Sequence, residues 1–177
     1  MSALSTILNA DIRKALGNMV FNKPVLAINL GGAATVKTTN AIAYSVDGVA
    51  LSKAALAAQS IAVTHDCFGN LVANGVAAYV QPVGTTVYYL LSLDSGGNVK
   101  VSQGSYAGQT LAFPSDISRI NTGTGGLPVE PAGCTAFGVI KVAPTVAATF
   151  TPGTTALDAA NVNATYFDLS MVPAVAP

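Results

Sequence analysis

Ile42-Ala-Tyr-Ser-Val46-Asp47-Gly48-Val49-Ala-Leu-Ser-Lys53 is the stretch whose reading sets the fold class. Ile42, Tyr44 and Val46 alternate with small residues, a period of two that puts all three on one face of an extended chain. Asp47-Gly48 interrupts the pattern and Val49 and Leu51 resume it. Asp-Gly between two alternating runs is a favoured two-residue hairpin connection, because both positions tolerate positive φ. The stretch therefore predicts an antiparallel hairpin.

Outward from it, the same signals recur. On the C-terminal side Val87-Tyr-Tyr-Leu-Leu91 is a β-branched and aromatic strand run. Asp94-Ser-Gly-Gly-Asn98 reverses the chain, and Val99 to Ser102 alternates as the returning strand. Ala136 to Val142 predicts a further strand, with Phe137, Val139 and Lys141 on one side and Gly138, Ile140 and Val142 on the other. Ala164 to Met171, carrying Tyr166 and Phe167, predicts the last. On the N-terminal side Pro24 ends any helical continuation, and the apolar run Val25 to Leu30 stops at Gly31-Gly32. Lys53 to Ser60 has helix-forming composition but is short, a turn of helix or a loop. Gly104 to Gly126, rich in Gly, Ser and Thr, reads as a long loop or arm. Pro82-Val-Gly-Thr-Thr86 and Thr151-Pro-Gly-Thr-Thr155 echo one another over too few residues to mean duplication.

Residues 3 to 17 carry the helical pattern of the chain. Leu4, Ile7, Leu8, Ile12, Ala15 and Leu16 recur at steps of three and four and form one stripe. Ser2 can cap the start, and Gly17-Asn18 supplies a left-handed stop. The expected architecture is mainly β, an antiparallel β-sandwich or barrel (a jelly-roll is compatible), preceded by one amphipathic N-terminal helix. Its parts are an assembly arm at 1–22, a single β-rich domain at 23–171 and an extended tail at 172–177.

Composition bears on function. The 177 residues are 51 % hydrophobic and only 9 % charged, with eight Lys/Arg, eight Asp/Glu and no net charge. A typical soluble domain is about a quarter charged. Such a chain either places apolar surface against something besides its own core or covers its outside with Ser, Thr, Asn and Gly, and both are expected here; a homotrimer is therefore expected, with a dimer as the lesser assembly. The interface candidates are the helical stripe Leu4, Ile7, Leu8, Ile12 and Leu16 and the uncharged tail residues Val172, Pro173 and Val175. The basic residues are spread along the chain without the cluster that phosphate binding needs, so nucleic acid is not an expected partner. No apolar run approaches the ~20 residues of a spanning helix, so no membrane is expected.

Catalytic patterns are sparse. His65-Asp66-Cys67 places a base and a thiol on one face of an extended chain with the carboxylate opposite, whereas a thiol nucleophile needs a base oriented by a third group. A polar turn leading into Phe68-Gly69-Asn70 is the preferred reading. Glu130 is the sole glutamate, and nothing selects a pair of carboxylates for glycoside chemistry. Cys67 and Cys134 read as buried thiols, and no Cys/His spacing suggests zinc. No cofactor, metal or enzymatic activity is expected. The six tyrosines would offer sugar stacking if several shared an exposed face, but ordinary strand packing is preferred.

Four stretches carry a resemblance: Lys23-Pro-Val-Leu-Ala-Ile-Asn-Leu30 with Ala33-Ala-Thr-Val-Lys-Thr-Thr39, the hairpin 41–53, Val87 to Val101, and Phe150-Thr-Pro-Gly-Thr-Thr-Ala-Leu-Asp158 followed by Ala164-Thr-Tyr-Phe-Asp168. Together they resemble tailed-phage virion structural proteins, most of all small capsid decoration (cement) or head-fibre proteins. The resemblance implies a β-rich, often trimeric subunit, made in the host bacterial cytoplasm without export and carried on the capsid surface. Its partners would be itself and the major capsid protein, and its role would be to stabilise the assembled head. The alternative it implies is a head- or tail-fibre component that adheres to host receptors.

Overall fold

The computed structural model describes residues 17–72, 79–106, 126–145 and 147–170. The stripe Leu4, Ile7, Leu8, Ile12 and Leu16, the tail residues Val172, Pro173 and Val175, and most of the 104–126 loop lie outside the described residues. Ten strands follow in order: β1 (Met19–Val20), β2 (Leu26–Ile28), β3 (Thr35–Thr38), β4 (Ile42–Val46), β5 (Val49–Lys53), β6 (Gln59–Ser60), β7 (Val87–Asp94), β8 (Val99–Gln103), β9 (Cys134–Pro144) and β10 (Val162–Asp168). They form three antiparallel sheets, β1-β4-β5, β2-β3-β6 and β10-β9-β7-β8.

The fold is mainly β, and no α-helix occurs among the described residues. The barrel alternative is corrected, because the three sheets remain separate and no closed barrel forms among the described residues. β1 lies inside the segment expected to be an arm. Met19 and Val20 pair with Ser45 and Tyr44 of β4.

The Asp47-Gly48 hairpin is formed as read. Val46 faces Val49, and φ is 49° at Asp47 and 73° at Gly48. Gly17 also takes the left-handed conformation expected of it, at φ 46°. Lys53 to Ser60 is not helical. Leu56 donates its N–H to the Thr38 hydroxyl and accepts from Thr38 N–H, both at 3.0 Å, and Gln59–Ser60 become β6 against β3. These long-range bonds override the helix propensity of an alanine-rich run.

β9 departs from simple alternation. Leu91 of β7 faces Gly138 and Ser92 faces Ala136, so Phe137 is an extra residue, a β-bulge. The bulge shifts the parity of the strand. Phe137 joins Ile140 and Val142 in the core cluster instead of standing with Val139 and Lys141. The single-period assignment of Phe137 is thereby corrected.

The two three-stranded sheets meet the four-stranded one at different points. Near the start of β9, Thr135 Oγ1 donates to Ser45 O and Asn18 Nδ2 to Cys134 O at 2.9 Å, while the Tyr44 hydroxyl reaches Asp94 O at 3.1 Å. At the end of β10, Leu26 N–H donates to Asp168 Oδ1 at 2.8 Å. Between them lies one core, including Ile42, Tyr44, Val36, Tyr89, Leu91 and Phe150.

Gln81 is fully buried and fully used. Its Nε2 donates to Thr85 O at 3.0 Å and Val142 O at 2.9 Å, and its Oε1 accepts from the Tyr89 hydroxyl at 3.0 Å. Gln81 also exchanges backbone bonds with Phe150. The two echoing segments leave this bridge, and Gly84 and Gly153 both turn at positive φ.

Two outcomes follow. Gln81→Leu, which takes the amide away from Val142 O, Thr85 O and the Tyr89 hydroxyl, should cost roughly 2–4 kcal/mol in urea unfolding, against about 1 kcal/mol for Tyr89→Phe. Gly153→Ala adds a Cβ within 2.9 Å of the Ala62 backbone at a residue with φ 76°. It should cost roughly 2–5 kcal/mol, more than Gly133→Ala, where φ is 67° and a Cβ meets nothing within 4 Å, so that only the conformational term of about 1–2 kcal/mol applies.

Candidate functional site: the outer surface and open edge of the four-stranded sheet

His65-Asp66-Cys67 sits beside β8. His65 forms a parallel bridge with Ser102 and an antiparallel one with Leu71, so 64–72 is a hairpin laid along the sheet. The Asp66 carboxylate is taken up by its own turn. Oδ1 accepts from Phe68 N–H and Asn70 N–H at 2.9 Å, and Oδ2 from Asn70 Nδ2 at 3.2 Å. The His65 ring is buried, with Nδ1 2.9 Å from the Thr64 hydroxyl. Burial, followed by the charge of Lys100, holds its pKa below the ordinary histidine value, with Asp66 opposing. The polar-turn reading of this triplet holds.

The same turn occurs a second time. Asp66-Cys-Phe-Gly69-Asn70 and Asp94-Ser-Gly-Gly97-Asn98 share the pattern Asp-x-x-Gly-Asn. In the second, Asp94 Oδ1 accepts from Gly96 N–H at 2.9 Å and Asn98 N–H at 2.8 Å, and Oδ2 from Asn98 Nδ2 at 3.0 Å. Each glycine donates its N–H to the aspartate carbonyl, at 3.1 and 3.0 Å, and takes positive φ. The shared pattern is legible in the chain, yet reading each turn alone misses it.

A strap at 126–131 joins these elements. Val129 N–H donates to Cys67 O at 3.0 Å, and the Glu130 carboxylate accepts Ala136 N–H just before the bulge. Burial raises the Glu130 pKa, partly offset by that bond. Both cysteines are thiols, Cys134 buried and Cys67 only half-buried, which corrects the expectation of two buried thiols. Burial, then Asp94, pushes the Cys134 thiol up, Lys100 opposes, and Glu130 raises it further. Among the described residues no three His, Cys, Asp or Glu side chains gather to hold a metal. Nor is any helix there long and apolar enough to cross a membrane.

The tyrosines form no exposed platform. Tyr44 and Tyr89 lie in the core, and Tyr79, Tyr88, Tyr106 and Tyr166 are half-buried. Apolar side chains are nevertheless exposed in places. Phe167 and Leu169, at 46 % and 38 %, flank the end of β10. Val25, exposed and at φ 59°, precedes Leu26, the residue bound to Asp168.

The strands that end the sheets differ in protection. Thr64 and His65 run beside β8, their N–H groups donating to Val101 O. β5 carries Lys53, the kind of charge that discourages edge pairing. β10 has seven residues with neither lysine nor proline. No family model, curated protein or solved structure matches the chain.

Asp94 gives a pH test. Burial alone would raise its carboxyl, but hydrogen bonds from Asn98 and Lys100 together outweigh this and lower the pKa from 3.8 to about 2. A depressed carboxylate stabilises the fold above the unfolded value and loses that contribution as pH falls through the folded one. Melting temperature should therefore drop between pH 4 and pH 2. Asp94→Asn should start lower and show a shallower acid dependence over this window.

Proposed function

We propose that the chain is a structural virion protein, a decoration or cement subunit that binds assembled capsid subunits and stabilises the phage head. The observation that carries this reading is the combination of a neutral, charge-poor sequence with polar side chains spent inside the fold. Asp66, Asp94, Gln81 and Glu130 all serve local backbone or core contacts. Outward it shows exposed apolar side chains, Phe167 and Leu169 among them, and a sheet edge with neither lysine nor proline, features of a protein that associates. In this reading the chain forms an antiparallel β-sandwich, the four-stranded sheet on one side and the two small sheets on the other. It assembles as a homotrimer on the capsid surface, with the major capsid protein as its partner and its synthesis in the host cytoplasm. Neutral surfaces suit such crowding, because like-charge repulsion between many copies does not accumulate. A subunit that binds only the assembled shell stabilises it by mass action.

The test is electron microscopy of particles that carry the protein, together with pelleting of purified protein on assembled shells. Copies distributed over the shell are expected, with retention that changes little between low and high salt because apolar burial drives it. Copies confined to the tail, or steep loss of binding in salt, would overturn the proposal.

A further inference from the structure

Among the described residues no strand pairs with the outer edge of β10, and backbone parity shows which groups that edge offers. Leu169 N–H donates to Phe137 O, and Asn161 O accepts from Thr145 N–H, so the odd-numbered residues of this run direct their backbone groups at β9. In a regular strand the even-numbered residues face away. The N–H groups of Ala164, Tyr166 and Asp168 therefore line the free edge. No bond from a described residue reaches these N–H groups or the carbonyls of Val162, Ala164 and Tyr166. Five of the seven side chains are Val, Ala, Thr, Tyr and Phe, and the one charge, Asp168, is held at the end by Leu26 N–H and, at 4.0 Å, by Lys23. An uncharged extended segment is the partner this edge fits.

The chain supplies one. Met171-Val-Pro-Ala-Val-Ala-Pro177 follows β10 after Leu169-Ser170 and has no charged side chain. Its prolines at 173 and 177 fall in the same phase of a two-residue period. An extended segment of this sequence keeps every donor on one edge, at Val172, Ala174 and Ala176, and loses two of four on the other, at Pro173 and Pro177. It can add to one sheet and cannot readily accept a further strand.

We propose that residues 172–176 of a neighbouring copy add as an outer strand to the free edge of β10, through the donors at 172, 174 and 176. A copy's own tail is badly placed to do so. Leu169 is still bonded to β9, which leaves Ser170-Met171 as the two-residue turn, and neither residue suits the positive φ that such turns require. Addition from copy to copy joins unlike surfaces, a contact that makes a ring of three where its rotation closes, as the trimer of the assembly reading requires. The inference thus rests on the assembly reading and supplies its contact.

The experiment compares full-length Ala174→Pro with Val175→Pro. The first removes a donor from the intact edge, and the second removes one from the edge already blunted. Light scattering across a concentration series should show association weakened about tenfold or more by Ala174→Pro and nearly unchanged by Val175→Pro. Circular dichroism should show the same β-signal in both. A mixed sample of Thr165→Cys and Ala176→Cys chains, with parent protein as control, should form disulfides between chains on oxidation. A monomeric parent would overturn both this contact and the assembly reading. An oligomeric parent whose association survives Ala174→Pro would overturn the contact alone, as would equal losses in the two proline variants.

Discussion

The bulge at Phe137 is the constraint on which the rest of the molecule depends. β9, with eleven residues, is the longest strand among the described residues, and it pairs with both β7 and β10. Its first part also has to meet the β1-β4-β5 sheet, through Thr135 and Asn18. Strict alternation would set Phe137 on the side opposite Ile140 and Val142, since one residue of slip exchanges the faces of a strand. The extra residue lets Phe137, Ile140 and Val142 share one core. It also leaves Ala136 N–H to be satisfied outside the ladder, and Glu130 meets it. One irregularity thus fixes the core, the strap at 126–131 and the place of the sole glutamate.

Charged groups in this chain are few, and several of them serve the fold itself. The two Asp-x-x-Gly-Asn turns close through the same set of aspartate contacts, so each needs only its own carboxylate and a glycine at positive φ. Gly69 cannot be enlarged cheaply, because a Cβ there would lie 3.2 Å from Glu130 O. The Gln81 amide similarly ties β7, β9 and the Phe150 segment into one buried network. Buried groups of this kind stabilise little on balance but cost much if left unpaired. They specify the arrangement of a core that apolar packing alone would hold less uniquely.

Much of this was legible in the residues, for reasons that can be named. The hairpins at Asp47-Gly48 and Asp94 to Asn98 are set by local chemistry, since turn residues and alternation sit side by side in the chain. The bulge was not legible, because it is decided by the partners of β9 and not by its own pattern. β6 was hidden for the same reason, its backbone organised by Thr38 and β3. The strand at 162–168 was found, but its end was read three residues too late. The repeated Asp-x-x-Gly-Asn pattern was open to inspection and was missed. The proposed interface residues of both chain ends fall outside the described residues, so their reading stands as a proposal.

The three sheets treat their edges unequally, and that inequality is informative. A sheet edge exposes backbone donors and acceptors whatever its side chains are, so a protein that works alone usually guards it. Here β8 is covered by 64–65, β1 and β6 are two residues long, β2 is three, and β5 carries a lysine. Guarding was therefore within reach of this sequence, and among the described residues nothing supplies it to β10, which displays Phe167 and, just beyond, Leu169. Near the same end, Val25 holds a left-handed conformation that costs a β-branched residue on the order of 1–3 kcal/mol. Its carbonyl accepts from Thr39 N–H and its neighbour Leu26 is held by Asp168, so the surrounding bonds enforce the strain. An unguarded edge, exposed aromatic surface and a strained residue at one corner form a coherent pattern if that corner meets another copy. In an isolated chain each would be a separate liability.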